Sequence, residues 1–98
     1  MEVRTFKRVA ITGLGTITSI GKSVSEFKQG LFSGKCGIGP VSLFDTSGFS
    51  CQKAAQIRNW DIQSFLDPRE ARRVSRCDAL GLMAAGEALA DSGLNLDQ

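Results

Sequence analysis

The chain has 98 residues, 42% of them hydrophobic and 22% charged, a balance typical of soluble globular domains and unlike disordered or collagen-like sequences. Twelve Lys and Arg oppose ten Asp and Glu for a net charge of +2, too near neutrality to indicate a nucleic-acid or membrane partner from composition. Histidine is absent, which removes Ser-His-Asp and Cys-His catalysis and the commonest zinc ligand from these residues.

Three cysteines, Cys36, Cys51 and Cys77, are an odd number without the paired spacing of a zinc site, and no secretory signal precedes them. They read as reduced thiols in a cytoplasmic protein, and no metal site or cofactor is expected. No apolar run approaches the length needed to span a bilayer. One domain, residues 1–98, is the most that this length holds. Such a domain buries only about two-thirds of the surface its unfolded chain exposes, so an element apolar on every side is hard to cover.

Residues 8–14, RVAITGL, form a short β-branched apolar run of the kind buried on both faces, and they predict the first strand of an α/β sheet. Its end at Gly13 and Gly15 invites a dinucleotide-binding reading. The third glycine position of G-x-G-x-x-G is, however, occupied by Thr18, and Gly21 comes too late. A polar loop follows where a helix N-terminus would have to face the phosphate, so the glycines are assigned to a tight turn.

A helix is predicted over 23–33, with Ser23 or Ser25 in position to cap it, Val24, Phe27 and Leu31 on one face, and Gly34 ending it. Residues 35–60 read as a long connector that opens with KCGIGP and holds a short strand candidate around 54–57. Phe44, Phe49 and Trp60 are expected to pin it to the core.

A second helix is predicted over 68–92, with Asp67 as N-cap, Pro68 in the first turn and Gly93 as C-cap. Its second half, ALGLMAAGEALA, has one charged residue, Glu87, and is expected to be buried on all sides in a larger core. Cys77 falls at a core spacing between Val74 and Leu80 and is read as a buried, inert thiol, whereas nothing decides the roles of Cys36 and Cys51. Arg69, Arg72, Arg73 and Arg76 recur at three- and four-residue steps, which places them on one helix flank. Diluted only by Glu70, that cationic patch suits a phosphate or an acidic protein surface.

Three blocks, RVAITGLGTITSIGKSVSEF, LFSGKCGIGPVSLFDTSGF and FLDPREARRVSRCDALGLMAAGEALADSGL, resemble the opening of a β-ketoacyl-acyl carrier protein synthase of the type II elongating kind. The resemblance implies an α/β, thiolase-like fold, of which this chain holds the first strand and helices of the N-terminal half of a layered α-β-α-β-α architecture. It also implies a homodimeric full-length enzyme and a decarboxylative condensation of an acyl-enzyme thioester with malonyl-carrier protein in fatty-acid biosynthesis. In the family, the nucleophilic cysteine and the two assisting histidines lie far downstream. No cysteine here matches that motif, no catalytic residue is assigned, and the chain alone is expected to be inactive. Family members dock the acidic acyl carrier protein with positive residues at the start of the second helix, which are matched here by Arg69, Arg72 and Arg73. Val74-Ser75-Arg76-Cys77 departs from the more usual Met-Asp-Arg-Phe, so local packing is expected to differ. The alternative readings are a non-catalytic carrier-binding module and the ketosynthase segment of a polyketide synthase.

Overall fold

The computed structural model describes residues 4–97. In chain order, a segment without regular structure leads to helix α1 (Val24–Phe32), strands β1 (Ile38–Pro40) and β2 (Lys53–Ala55), a 3₁₀ turn (Ile62–Ser64), a short helix α2 (Pro68–Ala71) and a long helix α3 (Arg76–Ser92).

Capping chemistry explains where α1 begins and ends. Ser23 accepts the N–H of Glu26 with its side chain, satisfying one of the four donors that a helix start leaves free. At the other end Gly34 takes a left-handed φ of 73°, and the N–H groups of Gly34 and Lys35 return to the carbonyls of Leu31 and Gly30. This double return is a Schellman closure, which favours glycine because a Cβ disfavours that φ.

Residues 8–14 form no regular element and have no ladder partner among the described residues, and Val9 and Ile11 are 90% and 83% exposed. Strand patterning alone does not make a strand. The hydrogen bonds that define one come from a neighbour, and the described chain supplies none at this edge. The sheet that does form lies within the predicted connector, where β1 and β2 pair antiparallel with Gly39 opposite Ala54. Gln56, 8% exposed, ties this hairpin down: its side-chain oxygen accepts the N–H groups of Ser42 and Leu43 and its nitrogen donates to the Pro40 carbonyl.

The predicted helix over 68–92 is two helices. Ser75 turns out of helical geometry, with ψ of 164°, and its hydroxyl accepts the Asp78 N–H, so α3 starts afresh at Arg76. The reason is local: serine at this position offers the backbone a cap, whereas an uninterrupted helix would leave that hydroxyl no such partner. Nor is α3 buried on all sides. Ala79 alone among its residues is fully covered, while Leu82 and Leu89 are 49% and 43% exposed. Cys77, expected in the core, is exposed for the same reason, as no described layer packs over it.

The radius of gyration is 18.3 Å, against about 13 Å for a compact domain of this length. The accessible surface is 8277 Å², where a compact monomer of this mass exposes about 5,400 Å². The described chain is therefore an open layer.

What organises that layer is the crossing of residues 13–15 over α3. A Cβ placed on Gly13 or Gly15 would collide with the helix backbone at the carbonyls of Ala88 and Ala84 respectively. These glycines serve close approach of two backbones and not the tight turn expected of them. The turn lies further on, where Thr18 and Gly21 bridge.

Candidate functional site

Arg69 lies in α2, Arg72 is its C-cap residue and Arg73 follows in the turn, and all three are exposed. Asp67 holds the first turn of α2, accepting the N–H groups of Arg69 and Glu70 at 2.9 Å each. The Arg73 N–H donates to the Glu70 carbonyl at 3.0 Å, which curls the chain after the helix.

Arg76 does not join them. Its guanidinium donates to the carbonyls of Ile57 (2.8 Å) and Trp60 (3.3 Å) and lies 5.1 Å from the centre of the Trp60 ring. The Trp60 indole N–H in turn donates to Met83 Sδ at 3.1 Å. The four-arginine flank of the sequence reading is thus three exposed cations, with no side-chain partner among the described residues, and one structural one, because the new helix start at Ser75 rotates Arg76 toward the connector. Of the three aromatics expected to pin that connector, Trp60 does so. Phe44 and Phe49 stay 61% and 60% exposed and meet each other edge-on at 6.4 Å.

The residue that sequence reasoning passed over is Glu87. Its carboxylate accepts the N–H of Thr16 at 3.0 Å and that of Val24, the first residue of α1, at 3.1 and 3.3 Å. One side chain on α3 thereby fastens both the glycine segment and the positive end of α1, where a negative charge is favoured. Asp91, one turn further, accepts the Leu14 N–H at 3.0 Å. A lone carboxylate in an otherwise apolar helical run was the available signal.

A hollow of about 800 Å³ opens between the loop 18–22, α1 and β1, with Lys22, Lys35 and Arg58 on its wall. Two of those cations are committed to backbone carbonyls, Lys22 to Asn59 at 2.8 Å and Arg58 to Pro40 at 2.6 Å. Asp45, whose carboxyl is held below its ordinary value by the Ser47 hydroxyl and N–H, only closes its own loop. No group of three or more metal-ligating side chains occurs among the described residues, and no helix there is long and apolar enough to cross a membrane. The exposed arginines of α2 and its turn remain the surface with a chemistry of its own.

Residues 6–98 match the family model for the β-ketoacyl synthase N-terminal domain. The chain is 38% identical over 92 residues to a 3-oxoacyl-acyl carrier protein synthase 2 of Synechocystis sp., covering 94% of this chain and 22% of that protein. It is 37% identical over 92 residues to the synthase of the same name from Coxiella burnetii, again covering 94% and 22%. The chain therefore spans about a fifth of the length of the curated relatives it matches. Among solved structures it is similar to the ishigamide ketosynthase/chain length factor, with a TM-score of 0.74 and 31% identity over 89% of this chain and 22% of that one. With that likeness over most of the chain, the layer described above is part of a thiolase-like α/β fold. With the family model covering nearly the whole chain, this protein belongs to the β-ketoacyl synthase family, of which it carries N-terminal-domain sequence.

Proposed function

We propose that this chain supplies the first layer and the carrier-protein docking surface of a ketoacyl synthase that elongates acyl chains in fatty-acid biosynthesis. The observation that carries the proposal is the exposure of Arg69, Arg72 and Arg73 together on α2 and its following turn. Guanidinium groups clustered this way suit the carboxylates of an acidic partner, and they mainly raise the rate of encounter. The reaction served is condensation of an acyl-enzyme thioester with malonyl-carrier protein, with loss of carbon dioxide, in a cytoplasmic homodimer. With no histidine among these residues, the acyl-accepting cysteine and its assisting histidines are supplied from outside them. The 98-residue chain alone is then inactive.

Reversal of Arg69 and Arg72 to Glu in the assembled enzyme should raise the KM for carrier-bound substrate by roughly threefold to tenfold, and small thioesters should be nearly unaffected. Equal slowing of both substrate types would assign the arginines to fold stability. For the chain alone, incubation with acyl- and malonyl-carrier protein should yield no ketoacyl product. Turnover abolished by Cys77→Ala would overturn that expectation.

A second reading draws on the likeness to the ishigamide ketosynthase/chain length factor: a ketosynthase segment of a polyketide synthase, or a carrier-binding module without its own catalysis. A small-Cys-small motif and two histidines encoded downstream would decide for an active enzyme.

A further inference from the structure

The three exposed arginines all lie on one excursion of the chain whose two ends meet. Residues 61–75 leave the connector after Trp60 and return to α3 at Arg76, and the Arg76 guanidinium bridges the gap by donating to the Trp60 carbonyl. A second donation, to the Ile57 carbonyl at 2.8 Å, and the stacking on the Trp60 ring make this neck a three-point contact. The indole N–H on Met83 then anchors the neck along α3. Within the excursion the 3₁₀ turn is capped by Asp61, α2 by Asp67 and the exit by Ser75. The segment has the character of an Ω-loop: a compact surface loop with adjoining ends, ordered by its own caps.

We propose that Arg76 is a positioning residue for carrier-protein docking: by closing the neck of the 61–75 loop on Trp60, it holds Arg69, Arg72 and Arg73 in the arrangement the partner meets. This rests on the docking reading above and adds a device to it. A loop with free ends must be ordered when its partner binds, and that ordering weakens binding; a loop already closed avoids most of the loss. Arg76 therefore acts through the geometry of the other three and not through contact with the partner. Its effect on binding is separable from theirs by salt, because counter-charges at the interface set the salt dependence and the neck does not.

The test measures binding of purified acyl carrier protein to the full chain across a salt series, for the parent, R69E/R72E, Arg76→Met and Arg76→Lys. The double reversal should weaken binding and flatten the salt dependence. Arg76→Met should weaken it about threefold to tenfold with the salt dependence unchanged, and Arg76→Lys, which keeps a cation and donors at the neck, should recover part of the loss. Limited trypsin digestion supplies a second readout: in Arg76→Met, cleavage after Arg69, Arg72 and Arg73 should quicken about fivefold relative to cleavage after Lys53. If Arg76→Met binds and is cut like the parent while the double reversal binds weakly, the docking reading stands and the positioning role is wrong. Equal acceleration of cleavage at Lys53 and in the loop would make Arg76 a general stability residue and also overturn it. If the double reversal binds like the parent, docking through these arginines fails and the positioning role falls with it.

Discussion

The two flanks of α3 both carry small residues, and they have opposite surroundings. On one, Ala84, Glu87, Ala88 and Asp91 meet the glycine segment, with two carboxylates taking its N–H groups and two alanine carbonyls lying where a Cβ on Gly13 or Gly15 would have to go. On the other, Gly81, Leu82, Ala85, Gly86 and Leu89 are exposed, and a Cβ added to Gly81 or Gly86 meets nothing within 4 Å. Small residues thus serve two purposes on one helix. On the packed flank the role of glycine is already explicit: two backbones touch, and the space for a side chain is gone. On the bare flank a glycine adds only conformational freedom to the unfolded chain, unless another layer comes to lie there.

The sharpest way to break this comparison is Gly15→Ala. The new methyl has backbone and not a flexible side chain in its way, so the crossing must shift, at a cost of about 3 kcal/mol or more. Loss of the cooperative unfolding transition on chemical denaturation is the expected result, and a parent-like midpoint would show that the segment does not lie this close to α3. Next in size is Glu87→Ala, which leaves the N–H groups of Thr16 and Val24 without their acceptor. A loss of about 1–3 kcal/mol is expected in the same measurement. Amide exchange at Thr16 and Val24 should also quicken, and exchange unchanged at both would remove the carboxylate from its place.

The smallest effect has the opposite sign. Gly86→Ala on the bare flank should stabilise the isolated chain by about 0.5–1 kcal/mol, because helical propensity improves and nothing is displaced. The same substitution in a full-length enzyme sharpens the comparison. Destabilisation there would show that a further layer packs against this flank as closely as the glycine segment packs against the other.

Local punctuation was legible in the chain itself. Ser23, one of the two serines in position to cap it, and Gly34 bracket α1, Asp67 and Pro68 open α2, and Gly93 closes α3, because each of these residues satisfies or frees backbone groups within a few positions of itself. Ser75 was equally local, yet the strong helix formers around it outweighed it in a reading by periodicity. The arginine cluster was legible as a composition on one segment. Its division into three exposed cations and one bound to Trp60 was not, since that depends on a contact sixteen residues apart in sequence.

By itself, then, the sequence determined the family, most of the helix caps and the clustering of arginines on one segment: the spacing of charged and small side chains along a chain is a one-dimensional property. Only the tertiary structure decided that Gly13 and Gly15 serve a backbone crossing, that Glu87 joins two segments, and that Arg76 closes a loop. It also decided that residues 8–14 stay unpaired among the described residues. A strand and a buried helix are relations between segments, and hydrogen bonding and burial have no value until the partner that supplies them is in place.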